Sequence, residues 1–224
     1  MNADAQGLAL TSGALPERPT LRGVMHLVVA FGAAAGLAWL LLAADSASGY
    51  VGGAVFGASL VLLYGTSATY HRINWRPAGR RLLKRLDHSM IWVLIGGTYT
   101  PFCLKIDAAW GISILSVVWA IAGAGVLMKL IWPDLPRWIS VTLYLALGWL
   151  GVLAVSEVLD RFAGVPIAML VAGGVLYTLG GVVYALRRPD PWPRLFGYHE
   201  VFHTFVVAGS VVHFVLVARF VLPA

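Results

Sequence analysis

Two histidines near the C-terminal end of the chain have the spacing of a metal-chelating pair. His199 and His203 lie four residues apart in the segment His-Glu-Val-Phe-His. On an α-helix this spacing separates two side chains by about 40° around the axis and ~6 Å along it. Two neutral imidazoles placed in this way can bind one ion together, and imidazole nitrogen is a common ligand of zinc.

Two further segments carry side chains that could complete such a site. Ser67 and His71 are also four residues apart, and Asp87 is followed directly by a histidine. Three imidazoles and one open position form the tetrahedral zinc site that hydrolytic enzymes use. The sequence therefore predicts zinc ligands at His71, His199 and His203. Asp87 is the predicted carboxylate that orients water and accepts its proton, and Ser67 a hydroxyl that supports the ligands or contacts the substrate.

Each residue outside the histidine pair has a simpler structural interpretation. His71 alone could be an imidazole favoured by the dipole at a helix C-terminus. Asp87 alone would be a good N-cap, and Ser67 alone would bond back to its own backbone. The pair at His199 and His203 is harder to explain without an ion, because ionisable groups at the edge of a lipid-facing segment are costly.

The same segment matches the five-residue pattern of zinc metalloproteases, in which the glutamate is the general base. Glu200 would be that base, but of the residues that follow only His213 could be a third ligand, and it lies too deep in its span. Glu200 can also be read as an interfacial carboxylate at a helix N-terminus. A membrane metalloprotease is kept as an alternative, and we expect His213, like His26 and His88, to be structural.

The elements that must position these residues are membrane helices. Hydrophobic residues make up 59% of the chain and charged residues 12%, with a mean hydropathy of +0.82. Soluble proteins have about 25% charged residues, so lipid is the expected solvent. The sequence predicts an all-α, polytopic bundle of seven transmembrane helices, at roughly residues 24–44, 51–71, 87–104, 109–131, 138–158, 165–186 and 198–221.

These spans divide the chain into a short tail and one membrane domain. Residues 1–23 are the predicted cytoplasmic tail, in which no cleavable signal peptide is recognised, and residues 24–224 are the seven-transmembrane domain. The longest connection is predicted at residues 72–86, and Pro101 is predicted to kink the third span.

Small residues at helical spacing predict close helix contacts in lipid. Gly53 and Gly57 form one such pair, and Ala120 and Ala124 form another. We expect both pairs to pack within the chain rather than to form a dimer face. The sequence does not determine the oligomeric state.

The basic residues predict the orientation of the bundle. Of the sixteen lysines and arginines, thirteen fall on one side of the predicted spans, and the other side has only Lys105, Arg161 and Arg219. Basic connections remain in the cytoplasm, so the N-terminus is predicted inside and the C-terminus outside. The net charge of +6 is therefore explained by topology and by contact with anionic headgroups, and no nucleic-acid partner is expected.

Four motifs together resemble the hemolysin III family, the bacterial branch of the progestin and adipoQ receptor group that includes the adiponectin receptors. They are Ser67-x-x-x-His71, Leu86-Asp87-His88, the segment from Gly97 to Phe102, and Gly197-Tyr198-His199-Glu200-x-x-His203. The resemblance covers nearly everything after the N-terminal tail. It implies seven helices with the N-terminus inside, and zinc held by three histidines at the positions of His71, His199 and His203. It also implies an aspartate that contacts zinc through water at Asp87, with a serine nearby at Ser67.

Three functions from different classes are compatible with these features. The first is a zinc-dependent hydrolase of lipid amide or ester bonds in the cell membrane, as the ceramidase activity linked to eukaryotic members of the group implies. Membrane lipid is then both solvent and substrate. The second is a membrane sensor or regulator with structural zinc, which a fourth protein ligand would favour. The third is a cytolytic protein, although the uniformly apolar spans do not suggest a charged lumen.

Overall fold

The computed structural model describes residues 19–106 and 108–223, and in these ranges the protein is all-α. A single bridge between Trp192 and Phe196 is the only β-type pairing there. The helices are α1 (Val24–Ala43), α2 (Ala47–Arg72), α3 (Pro77–Cys103), α4 (Ala108–Ile131), α5 (Arg137–Gly148), α6 (Val155–Arg161), α7 (Val165–Leu186) and α8 (Tyr198–Leu216). A short 3₁₀ helix (Leu150–Ala154) joins α5 to α6, and a π-helical turn (Val217–Val221) extends α8.

These helices form seven segments of membrane-spanning length. In the described part of the chain, α1, α2, α4, α7 and α8 with its π turn are long and apolar enough to cross a membrane, and α5 with α6 forms a sixth, bent by 62°. Helix α3 is the seventh: its 27 residues are long enough, but its first turns are charged. The predicted seven-helix architecture is thus present.

The predicted start of the third span is wrong. Helix α3 begins at Pro77, so the connection after α2 is residues 73–76 alone and not the long loop predicted at 72–86. Asp87 therefore lies about three turns inside α3 and is not its N-cap. Hydropathy detects only the apolar part of a helix, whereas proline at the first helical position and basic, partly exposed turns allow α3 to begin well before that part.

The predicted fifth span is interrupted. Its helix stops at Gly148, and the backbone tightens into the 3₁₀ turn before α6 continues. Tyr99 of α3 compensates for the break, because its hydroxyl lies 3.1 Å from the carbonyl oxygen of Leu147 and 2.9 Å from that of Gly148. The same hydroxyl accepts a hydrogen bond of 2.6 Å from the backbone N–H of Gly151. Backbone groups freed within a membrane need such partners.

Close packing around α2 depends on glycine. A Cβ at Gly57 would lie 2.7 Å from the Leu37 side chain of α1, and one at Gly53 would lie 3.3 Å from Leu40. The predicted intramolecular role of this pair is therefore confirmed. For Ala120 and Ala124 the same prediction is wrong, because both are exposed on the surface of α4.

The predicted tail is only partly described. Residues 1–18 of the 1–23 tail lie outside the described residues. Its last residues contact the connection between α7 and α8: the N–H of Thr20 donates to the carbonyl of Arg194 at 3.0 Å, and that of Leu21 to the carbonyl of Leu195 at 3.3 Å. The entry to α1 is therefore attached to the segment that leads into α8.

Candidate metal centre

The three predicted zinc ligands meet at one end of the bundle. His71 lies in the last turn of α2, and His199 and His203 lie in the first turns of α8. The Nε2 atoms of His71 and His199 are 3.3 Å apart, and one ligand nitrogen from each of the three rings falls within 4.8 Å of the others. The side chain of His71 is 7% exposed, and His203 is 3% exposed.

This nitrogen set has the dimensions of a zinc site. Tetrahedral zinc with Zn–N bonds of about 2.0–2.1 Å holds its ligand nitrogens about 3.3 Å apart. The separation between His71 and His199 equals that value, and the 4.8 Å limit for the whole set requires only small ring movements. Because the donors are all imidazole nitrogens and no thiolate joins them, zinc fits better than a metal that requires sulfur or only oxygen.

Asp87 lies beside the set without joining it. Its Oδ2 is 3.7 Å from Nε2 of His71, which is too long for a direct hydrogen bond. Among the described residues, the compact group of potential ligands consists of the three histidines. Asp87 therefore lies next to this group without belonging to it.

Ser67 hydrogen-bonds to a histidine of α1. Its hydroxyl lies 2.8 Å from Nδ1 of His26, and Ser67 and Asp87 line the same cavity. The bond of this serine is thus to another side chain and not back to its own backbone.

His26 is the site residue whose proximity the sequence did not reveal. Its ring stacks on His203 with centroids 3.7 Å apart and planes inclined by 12°. Its Nε2 is buried and has no hydrogen-bond partner among the described atoms. His26 is a lone histidine in an apolar run, so no local spacing marks it; only the packing of α1 against α8 brings it to the site. His213 lies deeper and bonds to the carbonyl oxygen of Leu170 at 3.2 Å.

The contacts of Glu200 do not fit the general base that the metalloprotease pattern predicts. One carboxylate oxygen lies 2.5 Å from Nε of Arg22, and the other accepts the backbone N–H of Gly197 at 2.9 Å. This second contact is half of a capping box, in which the third residue of a helix bonds back to its N-cap. The interpretation of Glu200 as a carboxylate at a helix N-terminus is the one that the contacts support.

The candidate metal centre opens into a cavity of the described bundle. This cavity has a volume of about 590 Å³ and is lined by parts of α1, α2, α3, α4, α5, α7 and α8. The three candidate ligands, Asp87 and Ser67 all contribute to its wall. Much of the remaining wall is apolar, with contributions from Leu94, Ile95, Leu145, Trp149, Phe202 and Val206. A hydrocarbon chain beside a polar reacting group would fit these surroundings.

The fold and site define a class of membrane protein with seven helices and a histidine cluster near one end of the bundle. Comparison with known proteins agrees: the model of the family described as "Haemolysin-III related" matches residues 16–214. The chain belongs to this family, and the resemblance read from the four motifs is confirmed.

Individual relatives extend from bacteria to eukaryotes. Hemolysin-3 of Bacillus cereus is 34% identical over 179 residues, which cover 80% of this chain and 78% of the relative. Heptahelical transmembrane protein 5 of Arabidopsis thaliana is 30% identical over 74% of this chain, and the adiponectin receptor protein of Drosophila melanogaster is 26% identical over 72%. The matches span 47% and 40% of these two longer relatives.

Proposed function

We propose that this protein is a zinc-dependent hydrolase of lipid amide or ester bonds. The observation that carries the proposal is the open three-histidine set on the wall of a partly apolar cavity, with Asp87 beside it. A structural zinc site is normally closed by four protein ligands, whereas a catalytic site keeps one position free.

Each residue of the site has a separate role in the proposed reaction. His71, His199 and His203 would hold zinc, which when bound supplies a Lewis acid that polarises a carbonyl and acidifies water. Asp87 accepts the proton of the attacking water, since its carboxylate lies 3.7 Å from the ligand nitrogen of His71. Ser67 lines the same cavity, where its hydroxyl supports the ligands or contacts the substrate. The apolar wall of the cavity holds the acyl chain and excludes bulk water.

We also propose that the protein spans the cell membrane with residues 1–23 as a cytoplasmic tail and residues 24–224 as the membrane domain. The support is the excess of basic residues at the end of the bundle where α2 ends and α8 begins. The C-terminus is then outside, and the histidine cluster lies just beneath the headgroups of the cytoplasmic leaflet. A lipid whose amide or ester bond is at headgroup depth would place that bond beside Asp87.

Metal analysis and lipid turnover in a matched set of variants test the proposal. The wild type should co-purify with about one zinc per chain and release fatty acid from an N-acyl sphingolipid or a diacyl phospholipid. His203→Ala should lose both zinc and turnover, because it removes one of three ligands. Asp87→Asn should retain zinc while turnover falls by about 10²–10⁴-fold, the usual contribution of a general base.

The control is His213→Ala, which removes a buried histidine of the same helix outside the cluster and should retain zinc. Wild-type protein that remains metal-free under zinc-replete conditions would overturn the proposal at its first step. Full zinc occupancy without turnover of either lipid class would instead favour a sensor or regulator with structural zinc. Lysis of erythrocytes or vesicles that persists in His203→Ala would favour the cytolytic function that the name of the Bacillus cereus relative describes.

A further inference from the structure

Five basic side chains line the same cavity apart from the histidines, and one of them, Arg22, is paired with Glu200. We call the other four the basic cluster: Lys84 of α3, Lys129 of α4, Arg137 of α5, and Arg187 just after α7. Positive charges near an interface are expected to point outward to headgroups and water. Here they converge on a cavity, and one of them is fully buried.

Lys129 is the unusual member of the cluster. It is only 2% exposed, and its Nζ donates a hydrogen bond of 2.6 Å to the hydroxyl of Ser140. No carboxylate of the described residues lies within 4.0 Å of this ammonium. A buried charge whose nearest partner is a neutral hydroxyl is costly unless an opposite charge reaches it.

Arg137 is held in place without being neutralised. Its guanidinium lies over the rings of Tyr184 and Tyr198, at 5.5 and 5.9 Å from their centroids. One of its nitrogens also lies 3.3 Å from the Tyr198 hydroxyl. These contacts fix the direction of the side chain, and they leave its charge free to act on a ligand in the cavity.

Asp134, an acidic side chain that lines the same cavity, already forms an ion pair. Asp134 lies 2.6 Å from the ammonium of Lys84. That contact holds the pKa of the Asp134 carboxyl below its usual range, so this carboxylate remains ionised and its charge offsets that of Lys84. Asp87 is the other carboxylate that lines the cavity, so the three cations Lys129, Arg137 and Arg187 still exceed the remaining negative charge on its wall.

The basic cluster and the metal centre line one cavity. Its wall includes the four basic side chains, His88 and the three candidate ligands. A ligand held in this cavity can therefore contact both groups.

We infer that the basic cluster is a binding subsite for the anionic headgroup of an amphipathic lipid, with Lys129 and Ser140 at its centre and the hydrocarbon part in the apolar region of the cavity. The shared chemistry is an oxyanion, a phosphate or a carboxylate, attached to an alkyl chain. A buried ammonium and an adjacent hydroxyl provide charge-assisted and neutral hydrogen bonds to such a group. Binding of this kind does not require turnover, although it selects the substrate of the proposed hydrolase.

Lipid titration of the full-length protein in a neutral detergent tests the inference. The ligands are phosphatidylglycerol, zwitterionic phosphatidylcholine, a single-chain fatty acid and inorganic phosphate, with bound ligand counted by native mass spectrometry. We expect phosphatidylglycerol or the fatty acid to bind in preference to phosphatidylcholine, and Lys129→Gln to weaken that binding by about 10-fold or more. Ser140→Ala should weaken it by a smaller factor.

Arg81→Gln is the matched control, because it removes an exposed positive charge of α3 that does not line the cavity. Lys129→Gln should remain folded, since removing an unpaired buried charge relieves a cost. Preference for phosphatidylglycerol identifies a phosphate headgroup as the ligand, and preference for the fatty acid identifies a carboxylate. Equal binding of phosphatidylcholine, an equal loss in Arg81→Gln, or binding of inorganic phosphate alone would overturn the inference.

His203→Ala separates this inference from the proposed function. That variant should lose zinc but keep its preference for the anionic lipid, because the basic cluster contains none of the metal ligands. Loss of the preference in His203→Ala, with the protein still folded, would show that the anion binds at the metal centre, and the separate subsite would then be wrong.

Discussion

At the scale of single residues, the candidate metal centre is supported by a histidine outside its ligand set. His26 stacks on one candidate ligand, His203, and hydrogen-bonds to Ser67. These contacts restrain a ligand ring and a hydroxyl of the cavity wall. Supporting contacts of this kind typically change metal affinity by about 10–100-fold when they are removed.

We predict that His26→Phe lowers zinc affinity by about 10-fold or more. The phenyl ring can retain the stacking on His203, but the bond to Ser67 is lost, so the ring that supports His203 is no longer held in one orientation. Competition with a fluorescent zinc chelator measures the affinity. His213→Phe, on the same helix as two of the ligands but outside the cluster, is the comparison, and an equal effect in both variants would contradict the positioning role of His26.

At the scale of helices, the break after α5 depends on one tyrosine from another helix. The hydroxyl of Tyr99 contacts the carbonyls of Leu147 and Gly148 and the N–H of Gly151. Since backbone groups freed within a membrane need partners, we expect the interrupted segment to depend on this contact. The motif from Gly97 to Phe102 therefore has a structural role in addition to its place in the family pattern.

We predict that Tyr99→Phe destabilises the folded protein by about 1–3 kcal/mol, the cost of leaving buried backbone groups unpaired. Thermal unfolding in detergent, followed by tryptophan fluorescence, measures the change. Tyr50→Phe removes an exposed hydroxyl at the start of α2 and should leave the midpoint unchanged. A midpoint in Tyr99→Phe equal to that of the wild type would show that the break is stabilised in another way.

At this scale, the sequence predicts the features that local residue spacing marks. The i, i+4 pairs pointed to His71, His199 and His203, which the structure brings together, and the apolar runs predicted the seven-helix architecture. The start of α3 was misplaced because its first turns are polar, and hydropathy does not detect a polar helix. The break after α5 and the burial of Lys129 could not be predicted, because both depend on contacts between helices far apart in the chain.

At the scale of the whole molecule, orientation in the membrane decides which leaflet the cavity faces. The distribution of basic residues predicts that the mouth of the cavity is cytoplasmic. The single native cysteine, Cys103, is buried, so an introduced cysteine would report the orientation with little background.

We predict that a membrane-impermeant maleimide labels Asp45→Cys, in the connection between α1 and α2, in intact cells. Leu195→Cys, in the connection between α7 and α8, should be labelled only after the membrane is opened. The two sites lie on opposite sides in any bundle with this helix order, so each is the control for the other. The reverse labelling pattern would place the cavity on the outer leaflet and contradict the predicted topology.

The candidate ligands lie far apart in the sequence, and this separation determines when the site can form during synthesis. His71 and His199 are 128 positions apart, and Arg22 at the entry to the first helix pairs with Glu200 at the start of the last. The contacts between the first and last helices can therefore form only after synthesis is nearly complete. A chain stalled before its final helix would have neither all three histidines nor the Arg22–Glu200 pair, so any ion that the site binds could enter only after the last helix has been made.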